Sequence, residues 1–175
     1  MSPPIERLYD LSDLSAGGAE IVVEANPDQR TKLAAWLEVE SVEKFRSVVT
    51  LSKLAMNRYR YDAELKCDLT QSSVVTLKPL RKHIEERFSR EIHVAHRARH
   101  APPPDKELTL SAADDDAPEE IESPRYDLAG PLLEELSLAL DPYPRAPDEH
   151  FSLPEPSDAK PESPFAVLKR LKGEG

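Results

Sequence analysis

From Arg58 to Leu69 the chain alternates apolar and charged side chains without a break. Tyr59, Tyr61, Ala63, Leu65, Cys67 and Leu69 stand at one parity, and Arg58, Arg60, Asp62, Glu64, Lys66 and Asp68 at the other. Successive strand residues point to opposite faces, so this pattern calls for a β-strand buried on one side and solvated on the other. From Gln71 to Pro79 the alternation fails. Paired small hydroxyls and a proline that cannot donate to a ladder place a turn there.

The flanks supply partners for this strand. Phe45, Ser47, Val49 and Leu51 alternate against Lys44, Arg46, Val48 and Thr50, which predicts a second strand over Val42 to Ser52. The connection Lys53 to Asn57 is short enough to make the two antiparallel. Upstream, Ile5 to Leu11 and Ile21 to Glu24 read as short strands forming a hairpin or an edge, separated by the turn signal Ser15-Ala16-Gly17-Gly18. Asn26, Pro27 and Gln29 make an N-cap, a proline at the first helical site and a capping-box partner. They predict a helix to about Glu38 with Leu33, Ala34 and Leu37 inward and Trp36 beside them. A second helix is expected from Asp127 as cap to Asp141, carrying the stripe Leu128, Leu132, Leu136 and Leu140 with Leu133 and Ala139 in support. Pro131 fits its first turn, and Asp141-Pro142 ends it. Between Leu80 and Ile92 the residues alone leave two readings. Leu80, Ile84, Phe88 and Ile92 recur every four as on a helix, while Ile84, Phe88, Ile92 and Val94 also share one strand face.

Seventeen prolines among 175 residues and a mean hydropathy of -0.55 indicate one packed domain with unpacked appendages. Residues 101 to 125 form an acidic, proline-rich stretch that buries too little to offset its ordering entropy, and 146 to 175 form a proline-rich tail. One cysteine, no long apolar run and no signal-peptide pattern point to a cytoplasmic protein without disulfides or membrane spans. The net charge of -10 argues against nucleic acid, yet it is unevenly spread. Residues 1 to 40 carry -5, residues 41 to 100 carry +6 and residues 101 to 175 carry -11. A basic middle of this kind either meets phosphate or is neutralised by the protein's own carboxylates.

Little in the chain suggests catalysis. Cys67 lies at the apolar parity of its strand and reads as an inert buried thiol. His93, His96 and His100 are the one close histidine group, but on a strand His93 and His96 face opposite sides, which does not make a shared metal site. Phosphate-binding glycine loops, nucleophile elbows and paired catalytic carboxylates are missing from the sequence. The expectation is a binding protein, not an enzyme, with no cofactor, no metal and no small-molecule substrate.

Two motifs carry a resemblance. The turn Gln71, Val74, Val75, Thr76, Leu77 and Pro79, together with the run Ile121-Glu122 to Phe151 containing Pro142-Tyr143-Pro144-Arg145, is similar in order to the YceD-like family. These are the large ribosomal RNA subunit accumulation proteins. A terminal Pro164 to Lys172 segment extends the likeness. The family's turn carries two cysteines in some branches, and Ser73 and Thr76 stand in their places, so a zinc or redox role for that pair is lost here. The resemblance places a third long strand at Lys82 to Ala95. The fold class expected is therefore α+β, an antiparallel sheet of three long strands plus N-terminal strands, with two packed helices and a disordered acidic loop.

The resemblance also implies a partner, the large-subunit (23S) ribosomal RNA. The candidate contacts are Arg58, Arg60, Lys78, Arg81, Lys82, Arg87 and Arg90, whose guanidinium forks and ammonium groups match phosphate oxygens if they meet on one edge of the sheet. Against this stands a cross-strand ladder with Asp62, Glu64, Glu85 and Glu86. An alternative function is an adaptor that captures a basic ribosomal or assembly protein through the acidic loop or the C-terminal peptide. In that peptide Phe165, Leu168 and Leu171 recur at helical spacing beside the cations Lys169 and Arg170.

Overall fold

The computed structural model describes residues 3 to 95 and 118 to 149. Its centre is a five-stranded sheet in the order β2-β3-β4-β5-β6, with β2 at Ala19–Glu24, β3 at Ser41–Ala55, β4 at Arg58–Ser72, β5 at Pro79–Val94 and β6 at Glu119–Ile121. The first four are antiparallel neighbours, and β6 joins β5 in parallel at Ile92 to Val94. A separate pair, β1 (Leu8–Asp10) with β7 (Arg125–Asp127), lies beside it. Helices α1 (Pro27–Leu37) and α2 (Ala129–Ala139) complete the α+β fold. Neither is long and apolar enough to cross a membrane.

The alternation of β4 does what its sequence demands. Tyr61, Leu65 and Cys67 are wholly buried, and Tyr59, Ala63 and Leu69 nearly so, while Asp62 to Asp68 at the other parity remain partly exposed. Phe45, Val49 and Leu51 of β3 and Ile84, Ile92 and Val94 of β5 extend the same face. That face is covered by Leu33 and Ala34 of α1, by Leu132, Leu133 and Leu136 of α2, and by Ile5, Leu11 and Leu14 of the N-terminal segment. Buried hydroxyls are satisfied locally. Ser47 Oγ donates to Glu64 O at 2.9 Å and Tyr61 Oη to Leu128 O at 2.8 Å.

The residues after Pro79 are a strand, paired with β4 from Ser72↔Pro79 to Arg58↔His93. The fourfold spacing that suggests a helix is a multiple of the strand period, and Arg90, which interrupts the inner face, has a partner: its Nη1 lies 2.7 Å from Glu134 of α2. The capping box of α1 is present in full, with Gln29 N–H to Asn26 Oδ1 at 2.9 Å and Asn26 N–H to Gln29 Oε1 at 3.0 Å. Helix α2 starts later than Asp127. Asp127 closes β7 and accepts from Ala129 N–H at 3.1 Å and Arg7 N–H at 2.7 Å, so its carboxylate joins the helix start to the N-terminal strand.

Of the two arrangements expected for the N-terminal strands, β2 takes the edge of the main sheet, while β1 pairs with β7 outside that sheet and no hairpin forms. One expectation needs correction. The acidic stretch does not run unstructured to residue 125, because Glu119–Ile121 and Arg125–Asp127 are strands. Ile121 packs against the core, and Tyr126 is buried with its hydroxyl donating to Glu119 Oε2 at 2.7 Å, which offsets the ordering cost of this short segment. The remainder of the acidic stretch and the tail from residue 150 lie outside the described residues.

Candidate nucleic-acid interface

The seven cations proposed from the sequence do not share one edge. Register places Arg58, Arg60, Arg81 and Arg87 on the open face, Lys82 and Arg90 on the helix-covered face, and Lys78 in the turn between β4 and β5. Arg58 opposes His93 while Thr70 opposes Arg81, and twelve residues of strand separate those two rungs, a span of about 40 Å. Most of the set is engaged by neighbours. Arg58 and Arg60 lie 2.9 and 3.6 Å from Glu91, and Arg87 lies 3.3 Å from Glu64 and 3.8 Å from Glu85. Arg90 ties α2 to the sheet through Glu134 and stands over the Phe88 ring, and Lys82 is 3.7 Å from Asp141.

Over the open face, seven cations (Lys44, Arg46, Arg58, Arg60, Lys66, Arg81 and Arg87) stand among nine carboxylates (Glu20, Glu24, Glu43, Asp62, Glu64, Asp68, Glu85, Glu91 and Glu120). Lys66 bridges Glu64 and Glu85 at 3.0 and 3.2 Å, and Glu64 is held below the usual glutamate range by its bonds from Lys66 and Arg87. Such a face is a cross-strand ladder, each exposed pair worth at most about 1 kcal/mol, and it presents no net positive charge to a polyanion. The basic middle of the sequence is largely neutralised within the sheet itself.

A different arrangement appears at the end of the sheet where β4 turns into β5. Ser73 is fully buried and organises the turn. Its N–H donates to Lys78 O, its carbonyl accepts from Leu77 N–H, both at 2.9 Å, and its Oγ accepts from Val75 N–H at 3.1 Å and Thr76 N–H at 3.3 Å. The Ser73 and Thr76 hydroxyls both donate to the carboxylate of Glu149, which also accepts from Ala146 N–H at 3.0 Å. Hydrogen bonds from Ser73, Thr76 and the Ala146 N–H hold Glu149 below its ordinary pKa. A single carboxylate thus bridges the two hydroxyls of the turn.

The same turn is bonded to the segment after α2. Val74 N–H donates to Pro144 O at 2.9 Å and Gln71 Nε2 to Asp141 O at 3.1 Å. Pro144 is buried, while Tyr143 and Arg145 on either side of it are exposed. Leu77 takes the left-handed conformation at φ 58°, a strained position for leucine, yet its side chain is 76% exposed. Val74 at 54% and Tyr143 at 73% are exposed beside it. Among the described residues Lys78, Arg81 and Arg145 have no carboxylate within ion-pair distance.

The structure thus sets two of the seven cations, Lys78 and Arg81, near the motif positions Val74, Leu77, Tyr143 and Arg145, which the sequence did not mark as contacts, and near Glu149, which it did not single out. A signal existed. Val74 and Leu77 are apolar in a turn where burial is scarce, and Tyr143 is clamped between two prolines. Cys67 is buried, its thiol pushed up to about 12 by that burial, which removes it as a nucleophile at neutral pH. His93 faces Glu120 at 3.8 Å, and no cluster of three metal-ligating side chains occurs among the described residues. His96, His100 and the proposed partner-binding residues Phe165, Leu168, Lys169, Arg170 and Leu171 lie outside them. Compared with family models, curated proteins and solved structures, the chain matches none.

Proposed function

We propose that this chain is a non-enzymatic, cytoplasmic factor for large ribosomal subunit assembly that binds the large-subunit ribosomal RNA or its precursor through the β4–β5 turn end of the sheet. The observation that supports it is convergence. The two segments on which the resemblance to YceD-like proteins rests, Gln71 to Pro79 and Pro142 to Arg145, are some 70 residues apart in sequence and directly hydrogen-bonded in space. Segments that share a family pattern and build one rigid, exposed surface are the natural place for a shared function. Cations that make no ion pair among the described residues at that surface supply phosphate contacts, and the locked turn supplies shape, a mode suited to holding folded RNA without reading sequence. Crosslinking the tagged chain in cells and mapping the bound RNA tests this reading. Enrichment of large-subunit ribosomal RNA over an untagged control is expected, and equal recovery in both would remove the proposal.

A second reading is a protein-binding adaptor, favoured by the exposed apolar side chains Val74 and Leu77 at the same turn. Under that reading the chain co-purifies with a large-subunit ribosomal protein after exhaustive nuclease digestion. Loss of that protein on digestion would exclude it.

A further inference from the structure

We infer that Tyr143 is a stacking platform for an unpaired RNA base, with Lys78 and Arg145 contacting the phosphates on either side of it. This rests on the RNA-binding reading and names what that surface binds: single-stranded or looped RNA instead of duplex.

A tyrosine exposed to this degree on a flexible loop would be unremarkable, but this backbone is fixed from several sides. Its own N–H donates to Asp141 Oδ1 at 3.0 Å. Pro142 and Pro144 fix φ on either side of it, and Pro144 is buried with its carbonyl accepting from Val74 N–H. Bases stack on aromatic faces whatever their identity, and a ring presented on an ordered backbone loses little entropy when one does.

Ion pairing is sparse at this end of the sheet. Most cations of β4 and β5 meet carboxylates across the strands, whereas among the described residues Lys78, Arg81 and Arg145 make no ion pair. The carboxylates nearby keep their charge but are oriented by hydrogen bonds, and Lys78 and Arg81 lie close enough to Glu149 and Glu43 to help those bonds hold the two carboxyls below their ordinary pKa. Glu149 accepts from Ser73, Thr76 and Ala146, Glu43 from Ser41 and Thr70, and Asp141 from the Tyr143 N–H while pairing with Lys82. Arg145 is two residues beyond the ring, and Lys78 closes the turn whose next rung, Val74, is bonded to Pro144. Cations flanking an exposed aromatic match the alternation of phosphate and base along a single strand. The stacked bases of a duplex would not offer a face to the ring.

The test uses the full chain and a fluorescently labelled, unstructured twelve-nucleotide oligoribonucleotide, followed by anisotropy, with the same sequence annealed into a duplex as comparison. The expected result is preference for the single strand. Tyr143→Ala weakens it about tenfold, within the range for one base stack, and Tyr143→Phe stays within about twofold of the parent. Lys78→Ala with Arg145→Ala flattens the log–log salt slope by about 1.4, two phosphates' worth on a single strand. Tyr143 is exposed, so unchanged thermal unfolding of its variants is a control that the fold is intact. RNA binding unaffected by Tyr143→Ala would overturn the stacking role and leave the RNA-binding reading standing, with the ring free to be a protein contact. Failure of the parent chain to bind single-stranded RNA, even where ribosomal RNA is recovered from cells, would also overturn it.

Discussion

Ser73 shows how one small side chain can define a surface. Its hydroxyl is buried, accepts two turn N–H groups and donates to Glu149, so replacing it strands several polar groups at once. Ser73→Ala is expected to cost about 1–3 kcal/mol in urea unfolding. Its partner predicts a pH dependence. The folded pKa of Glu149 is lowered, so the stability it contributes is complete above the ordinary glutamate value of about 4.3 and is lost as pH falls through the lowered value. The melting-temperature gap between the parent and Glu149→Gln should therefore hold from pH 7 to about 5 and close below about 4. A gap that persisted at the lowest pH would place the lock elsewhere. Neither role was legible in the sequence. The sequence marks Ser73 only as a replacement for a cysteine, and Glu149 reads as one acidic residue among many in a proline-rich tail, because nothing local says that 76 residues apart they meet.

At the level of elements, legibility followed length and period. Strands β3 and β4 and helix α1 were readable because ten or more residues repeat one pattern, and in α1 because the capping box names its own start. Strand β5 was ambiguous from its own residues, since a spacing of four satisfies both periods; pairing with β4 decides it. Strands β1, β6 and β7 have three residues each, too few for any period, and β1 pairs with a strand more than a hundred residues away. Two substitutions test the assembled elements. Gly18 has φ 78°, and an added Cβ would lie 2.5 Å from Leu51 O of β3, so Gly18→Ala should destabilise by about 2 kcal/mol or more and detach the β2 edge first. Hydrogen exchange at Val22 and Val23, faster than in β4, would report it. Leu136→Ala on α2, at a wholly buried site, should cost about 3 kcal/mol in the same unfolding measurement.

For the whole molecule, the decisive fact is that sequence proximity overstated the basic patch. The cations between residues 41 and 100 look concentrated along the chain, but a sheet interleaves strands, and register sets most of them beside carboxylates. Among the described residues, the cations without an ion pair include Lys44 and Lys53 of β3 and, at the β4–β5 turn end, Lys78, Arg81 and Arg145. This changes the expected salt dependence. Seven phosphate contacts on a single strand would give a log–log slope near -5, whereas three contacts from Lys78, Arg81 and Arg145 give about -2. The salt titration of single-stranded RNA binding should fall near the smaller value, and a slope near -5 would return the contact to the open face of the sheet.

The account stands or falls on which part of the protein touches RNA. Ultraviolet crosslinking of the full chain to ribosomal RNA, followed by identification of the crosslinked peptides by mass spectrometry, reads this directly. Adducts on Val74 to Arg81 and on Pro142 to Glu149, with Tyr143 the principal site, are the predicted result. Adducts confined to β3 or to Arg58 and Arg60 at the far end of β4, with the turn and the Tyr143 segment unmodified, would contradict it.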